Sequence, residues 1–303
     1  YMNRIHGLRF LSGILALVLM GGCGGKPGAA NGTETAFSVP DFQDASFHGE
    51  QAEDYGEIQV DFSMLELGNI GVEAESNSRL KFQIVCGEEK YNYDLPGDGT
   101  AEIFPLNMGN GSYTFRLMEE AGESKYACTW TETREVQMKD EFQPYLRPSQ
   151  IVNYGEQSQC VQQAKSLVAQ AASDVDAAGA IYDYLTKNIQ YDNEKAASVK
   201  SGYLPDPDET LKSGKGICLD YASLAAAMMR SVGIPCKLIT GYVGDDQIYH
   251  AWNCVYLQNQ GWISVEIKAD ANTWNRIDTT FAAGGMPAGQ ITDDSEYTTR
   301  YTY

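Results

Sequence analysis

The sequence predicts an α+β protein, in which an all-β region precedes a domain of helices and an antiparallel sheet. Short alternating runs broken by turn residues fill the first half, helical periodicity follows, and strand-like runs return near the end. The expected division is a leader over residues 1–23, a flexible tether over 24–54, a small sandwich-like β-domain over 55–142 and a second domain over 143–303.

The first residues have the layout of an export leader. Arginines precede the apolar run LSGILALVLM, and GGC follows it. The apolar run is too short to be a transmembrane helix with these flanks. The ending Met-Gly-Gly-Cys resembles the lipobox of bacterial lipoproteins, in which the cysteine, here Cys23, becomes the lipidated N-terminus. We therefore expect an exported, extracytoplasmic lipoprotein that is anchored to a membrane, with GGKPGAANGTETA as its tether.

The composition excludes several classes of partner and cofactor. A net charge of −19 leaves no basic surface for nucleic acid. Zinc is not expected, because only two histidines lie outside the leader and there is no CxxC pair. There is no phosphate-binding glycine loop and no calcium loop of EF-hand spacing, so the sequence predicts no cofactor.

The β-region is predicted from alternating runs such as EIQVDFSML, RLKFQIVC and SYTFRLME. The turn sequences PGDG and MGNGS separate them, with glycine or asparagine where a positive φ is expected. Several short strands at this spacing are typical of an antiparallel sandwich. No catalytic residue types are concentrated there, so a spacer or docking role is expected.

Two helices are predicted at the start of the second domain, the second of them capped by Ser173 or Asp174. Their apolar stripes consist of Val161, Ala164, Leu167, Val168 and Ala171, and of Ala178, Ile181, Leu185 and Ile189. Strand candidates CKLITGYV, IYHAWNCVYL, WISVEI and WNRID follow a further helix.

That further helix begins in GKGICLDYASL and should end near Gly233 and Pro235. Cys218 then lies in its first turn, where the helix dipole and the unpaired backbone N–H groups favour a thiolate. A small core residue at a helix start is an equally good interpretation of this stretch alone.

The histidines sharpen the interpretation of Cys218. His6 lies in the leader and His48 before the β-region, so a base in the second domain must be His250. In IYHAWNCVYL it should share a strand face with Trp252 and Cys254. Such a histidine is often simply a core residue, but a helix-start cysteine and a later acid make a catalytic set more plausible.

The blocks GKGICLDYASLAAAMMRSVGIPCKLITGY, YHAWNCVYL and WNRIDTTFA resemble those of bacterial transglutaminase-like proteins, over roughly residues 145–303. The resemblance implies a papain-like core with Cys218 as nucleophile, His250 as base and Asp278 as orienting acid. Relatives commonly read Asp-Pro-Thr where this chain reads Asp-Thr-Thr, a difference that leaves the acid intact. Exported relatives often carry an extra N-terminal β-domain.

The chemistry that this set implies is attack of the Cys218 thiolate on an amide carbonyl, giving a thioester. The expected substrates are protein or cell-wall peptide amides, and either water or an amine could resolve the thioester. The Cys218 N–H is one oxyanion donor, and Tyr191 is a candidate for a second, although a tyrosine at such a place is more often simply packed against the core. The alternative function is an inactive scaffold that acts as a binding or structural surface protein.

Glu266 competes with Asp278 for the role of acid, because it lies sixteen residues after His250, about where simpler relatives place theirs. A four-residue QNQG loop would point Glu266 away from His250, and a five-residue loop would reverse this. The resemblance of WNRIDTTF to a family block favours Asp278.

Cys236 and Cys254 could form a cross-strand disulfide. If VGDDQ is the loop and Tyr242 lies opposite Ile248, the two cysteines lie opposite each other. Two buried thiols are the equally weighted alternative, since a one-residue change of register separates the pair.

Overall fold

The computed structural model describes residues 37–122, 125–243, 247–270, 273–278 and 297–303. These residues belong to one compact unit, Thr35–Tyr303. In the described ranges, no helix combines the length and the apolar character needed to cross a bilayer. Cys23, the predicted lipidation site, lies outside these ranges.

Eight strands form two four-stranded antiparallel sheets in the first half, as the alternating runs predict. The first sheet has the order β1-β2-β3-β6 and the second β5-β4-β7-β8. The strands are β1 (Glu53–Asp54), β2 (Ile58–Asp61), β3 (Asn69–Ala74), β4 (Leu80–Cys86), β5 (Glu89–Leu95), β6 (Glu102–Pro105), β7 (Gly111–Glu120) and β8 (Tyr126–Val136).

One hydrophobic core lies between these two sheets and receives side chains from both. Phe82 of β4 stacks on Phe104 of β6, with ring centroids 5.3 Å apart. The alternation of β4 and β7 places every second residue in this core. Strand β3 was not predicted, because five of its six residues are buried and it shows no alternation.

Five helices follow, and the caps explain where several of them begin. They are α1 (Gln159–Val168), α2 (Asp174–Asn188), α3 (Asn193–Ser198), α4 (Pro207–Ser213) and α5 (Cys218–Ser231). The predicted cap of α2 is Ser173, whose hydroxyl accepts from the Asp176 N–H at 3.1 Å. Helix α5 begins at Cys218, and Gly233 after it has a φ of +85°.

A five-stranded antiparallel sheet of order β14-β13-β12-β11-β15 completes the described fold. Its strands are β11 (Cys236–Val243), β12 (Ile248–Leu257), β13 (Gly261–Asp270), β14 (Thr273–Asp278) and β15 (Tyr297–Thr302). Before α5, the short strands β9 (Gln190–Tyr191) and β10 (Lys215–Gly216) pair in parallel. Helix α5 packs on one face of the large sheet within the second hydrophobic core.

Arg230 holds the C-terminal part of α5 to three other segments. It is 2% exposed. Its guanidinium donates to the carbonyls of Cys236, Arg147 and Tyr303, at 2.9, 2.9 and 3.0 Å. A buried cation is tolerated when its donors are satisfied, and here three backbone carbonyls do this. Arg230 therefore joins α5 to β11, to the segment around Arg147 that connects the β-region with α1, and to Tyr303 after β15.

We predict that Arg230→Met lowers the free energy of unfolding by about 3 kcal/mol or more, because three buried carbonyls lose their donors. Arg300→Met is the control: this arginine contacts the exposed Tyr242 hydroxyl and should change the value by less than about 0.5 kcal/mol. Urea unfolding measures both. Equal effects of the two variants would contradict the role of Arg230.

Candidate active site at the start of helix α5

The sequence GKGIC is explained by two backbone constraints just before Cys218. Gly214 ends α4 with a φ of +65°, a conformation that favours glycine. A Cβ at Gly216 would lie 2.6 Å from the Cβ of Asp220, so a side chain there has no room. The two glycines thus allow a sharp passage from α4 into α5, which begins at Cys218.

Asp220 occupies the third position of α5 and is fully buried. Its Oδ2 accepts from the backbone N–H of Ile217 at 2.8 Å and lies 2.6 Å from Lys195 Nζ. Its Oδ1 accepts from the Tyr203 hydroxyl at 2.6 Å. The carboxylate therefore caps the helix start and ties the segment around α3 to it.

Tyr191 lies beside Cys218 because β9 and β10 pair in parallel. Gly216 is the partner of Tyr191 in this pairing, and the Asp192 N–H donates to the Gly216 carbonyl at 2.9 Å. Burial, and secondly the neighbouring Cys218 thiol, raise the pKa of the Tyr191 phenol above its usual value. The phenol is therefore protonated at neutral pH and is able to donate a hydrogen bond.

Two contacts fix the direction of α5 relative to β12. Near the helix start, Asn253 Nδ2 donates to the Ala222 carbonyl at 2.9 Å. Near the helix end, Arg230 contacts the Cys236 carbonyl, and Cys236 pairs with Val255. The two elements thus run in the same direction, and their N-terminal ends lie at the same end of the domain.

Cys218 and His250 both lie at this shared end. Cys218 precedes the Asn253 contact by one helical turn, about 6 Å along the axis, and His250 precedes Asn253 by three residues, about 10 Å along the strand. The Nε2 atom of His250 is shielded from solvent. The structure therefore brings nucleophile and base candidates to one end of neighbouring elements.

The faces of β12 show how the imidazole is placed. Ala251 and Val255 belong to the core that contains α5. Trp252 and Cys254 belong to a separate cluster on the other face. His250 lies two residues before Trp252, near the start of the strand, and therefore belongs to the same face as this second set.

The turn between β12 and β13 differs from both loop lengths considered for the sequence. Three residues, 258–260, connect the strands, and Leu257 pairs with Gly261. Asn259 in this turn has a φ of +66°, in the left-handed region that asparagine tolerates. The resulting register places the side chains of β13 on the same faces of the sheet as a five-residue loop would.

This register separates the two candidate acids. Asn253 pairs with Val265, and Val265 pairs with Asp278 on the next strand. The position of Asp278 therefore belongs to the face of the sheet that packs on α5. Glu266 occupies the alternate position along β13, on the face to which His250 belongs. The register thus places the two candidate positions on opposite faces of the sheet.

The proposed disulfide is wrong, because the hairpin register is shifted by one residue. Val243 pairs with Ile248, so Cys236 lies opposite Val255 and Cys254 lies opposite Lys237. The two cysteines consequently belong to opposite faces, and they are not joined by a disulfide. Burial raises the pKa of Cys236 to about 12, as expected for a small core residue.

Other candidate ligands in the described ranges do not converge on a metal site. Within them, no group of three or more His, Cys, Asp or Glu side chains is arranged to bind an ion. His48, the other histidine of these ranges, contacts the buried Asp61 through Nδ1 at 3.0 Å in the β-region.

Lys195, Tyr203 and Asp220 were missed by the sequence analysis. An aspartate at the third position of a helix is a recognisable capping signal, so Asp220 could have been found. The roles of Lys195 and Tyr203 depend on how the segment after β9 folds back on α5, and their spacing contains no comparable signal.

Part of the chain is similar to known proteins. Residues 127–267 match the family model described as the transglutaminase-like superfamily. The match includes Glu266 and ends before Asp278. Kyphoscoliosis peptidase of Mus musculus is 30% identical over 128 residues, which are 39% of this chain and 17% of that protein. The Homo sapiens protein of the same name is 24% identical over 191 residues, 58% of this chain and 26% of that protein.

A solved structure of a candidate cysteine protease from Cytophaga hutchinsonii is also similar, with 18% identity and a TM-score of 0.37. The similarity covers 78% of this chain and 86% of that one. The chain spans only about a quarter or less of the length of the two curated relatives. In general terms, the family match supports a papain-like cysteine enzyme.

We predict that Gly216→Ala lowers the free energy of unfolding by about 1–3 kcal/mol, because the new methyl group overlaps Asp220. It should also slow alkylation of Cys218, since the helix start must shift. Gly155→Ala is the matched control, because no atom lies within 4 Å of its added Cβ. Denaturation and peptide-resolved alkylation measure the two effects, and a Gly216→Ala protein that behaves like the control would contradict the steric argument.

Proposed function

We propose that this protein is a thiol enzyme that cleaves or exchanges peptide or protein amides through a thioester on Cys218, because residues 127–267 match the family model of the transglutaminase-like superfamily. The observation that carries the proposal is the position of Cys218 as the first residue of α5, beside Tyr191. A thiol at a helix start is exposed to unpaired backbone N–H groups and to the positive end of the helix dipole.

The proposed first step is attack of the Cys218 sulfur on the amide carbonyl carbon. His250 takes the thiol proton and returns it to the nitrogen as the carbon–nitrogen bond breaks, so that an amine leaves and a thioester remains. The Cys218 N–H and the Tyr191 hydroxyl would donate to the oxyanion. Water or a second amine then attacks the thioester and releases the Cys218 thiol.

We assign the orienting role to Glu266. Its position shares a sheet face with that of His250, and the family match includes it. A carboxylate on the adjacent strand would hold the imidazole in the tautomer that accepts a proton at the nitrogen facing Cys218. Asp278, which the sequence blocks favoured, occupies a position on the other face.

Exposed apolar side chains favour a peptide as the substrate. Val199, Leu204 and Tyr249 are 39%, 41% and 51% exposed. Val199 and Leu204 lie on either side of Tyr203 in the sequence, and the Tyr203 hydroxyl donates a hydrogen bond to Asp220 at the start of α5. Tyr249 directly precedes His250 at the end of β12 that lies near the start of α5. Apolar surface beside a reactive thiol suits a peptide with apolar side chains better than a sugar chain.

We also propose that the protein is exported and lipidated at Cys23, as its lipobox-like sequence suggests. A full-length Cys23→Ser protein should lose incorporation of labelled fatty acid and leave the membrane fraction. Retention of the label in that variant would refute lipidation at Cys23.

Amine incorporation and peptide cleavage, assayed in parallel on protein substrates, test the proposed activity. We expect Cys218→Ala to abolish whichever activity is found while the unfolding transition is retained. Cys128→Ala, which removes an exposed thiol of β8, should retain full activity. Absence of both activities in the unaltered protein would favour an inactive binding scaffold, and equal activity of Cys218→Ala would refute the assigned nucleophile.

Substitution of the two acids tests the assignment of the orienting residue. Glu266→Gln should lower kcat by about 10²–10⁴-fold, because the imidazole then adopts the wrong tautomer. Asp278→Asn should remain within a few-fold of the unaltered protein. Steady-state kinetics with any substrate found above measures both, and the opposite ranking would restore Asp278 as the acid.

A further inference from the structure

An ion pair at the start of α5 has no part in the bond-making steps described above. Lys195 Nζ lies 2.6 Å from Asp220 Oδ2 and 2.6 Å from the Tyr203 hydroxyl. That hydroxyl in turn donates to Asp220 Oδ1 at 2.6 Å. The three side chains form a closed triangle, in which Asp220 is fully buried and Lys195 is 30% exposed. The ammonium also lies over the Tyr203 ring, 4.4 Å from its centroid.

The location of this triangle matters for the thiol. Asp220 and Cys218 occupy the same first turn of α5, two residues apart. An unpaired carboxylate there would oppose the appearance of a second negative charge on sulfur. Burial alone would lower the pKa of Lys195, but hydrogen bonds to Asp220 and Tyr203 outweigh it and hold that pKa above its usual value. Lys195 is therefore a cation at neutral pH.

We propose that Lys195 and Tyr203 are positioning residues for Cys218, acting through Asp220. Lys195 neutralises the Asp220 carboxylate, and Tyr203 fixes its orientation. Asp220 is then able to hold the Ile217 N–H and the helix start without repelling a thiolate. The inference rests on the proposed role of Cys218 as the reacting group.

The triangle also orders the chain beside the site. Lys195 lies in α3, the helix that begins directly after Tyr191 and Asp192. Tyr203 lies in the segment between α3 and α4. Binding both side chains to one carboxylate holds this segment against the start of α5. The candidate oxyanion donor Tyr191 is thereby kept beside Cys218.

The test compares four full-chain variants with the unaltered protein. Lys195→Met removes the cation, Lys195→Arg replaces it, and Tyr203→Phe removes only the hydroxyl. Lys215→Met is the matched control, because this lysine lies three residues before Cys218 and contacts Asp192 at 3.5 Å but not Asp220. The rate of Cys218 alkylation by iodoacetamide is measured by peptide-resolved mass spectrometry, with the exposed Cys128 as internal reference.

A second readout separates charge from folding. Cationic aminoethyl and anionic sulfonatoethyl methanethiosulfonates are compared at Cys218. We expect Lys195→Met to slow iodoacetamide labelling about tenfold and to raise the cationic-to-anionic rate ratio about threefold or more. Lys195→Arg should restore both values to within about threefold. Tyr203→Phe should give a smaller loss of rate with little change in the ratio.

Several outcomes would overturn the inference. One is a Lys195→Met protein in which the alkylation rate of Cys218 and the ratio of its rates with cationic and anionic reagents match those of Lys215→Met. Another is lower thermal stability with an unchanged charge ratio, which would show a purely structural role. If Lys195→Met does not fold, an unchanged iodoacetamide rate in folded Tyr203→Phe decides against the proposal. Labelling of Cys218 in the unaltered protein no faster than Cys128 would instead refute the proposed function and the inference with it.

Discussion

The buried carboxylate of Asp220 is the group on which the arrangement of the candidate site depends. It is fully enclosed, and a buried charge is stable only when its oxygens are occupied by donors. Those donors are the backbone N–H before Cys218 and two side chains from the segment that follows β9. Formation of the helix start and folding of that segment are therefore coupled, and Gly216 supplies the space that this coupling needs.

Helix α5 connects two buried charges of opposite sign, Asp220 in its first turn and Arg230 near its end. The first is compensated by side chains and a backbone N–H, the second by backbone carbonyls alone. Between them, small residues allow the helix to pack closely on the sheet. The Cys218 thiol is thus placed on a rigid element, as the proposed chemistry requires, and His250 lies at the adjacent end of β12.

Much of this arrangement could be predicted from the sequence. The β-sandwich followed from alternating runs, and the start of α5 at Cys218 followed from helical spacing and from the glycines before it. The registers of the strand pairs were harder to predict from the sequence. The hairpin that separates Cys236 from Cys254 differs from the expected one by a single residue, and such a step reverses every face. The turn that carries Asn259 likewise has a length that no residue pattern specified, and it places the positions of Asp278 and Glu266 on opposite faces of the sheet.

The triangle of Lys195, Tyr203 and Asp220 was inaccessible for a different reason. Its members are brought together by tertiary folding across 25 residues, and neither periodicity nor spacing reports such a contact. Side-chain networks of this kind depend on the path of a segment that has little regular structure of its own. Local propensity is uninformative about that path, since packing and buried charge decide it.

The central claim is that the Cys218 sulfur becomes acylated, and trapping of the acyl-enzyme tests it most directly. The full chain is mixed with an activated peptide ester, quenched with acid and analysed by intact and peptide mass spectrometry. The account predicts one acyl group on Cys218, removable by neutral hydroxylamine and absent from Cys218→Ala. An unmodified Cys218, or an equal yield of acyl adduct on the exposed Cys128, would contradict it.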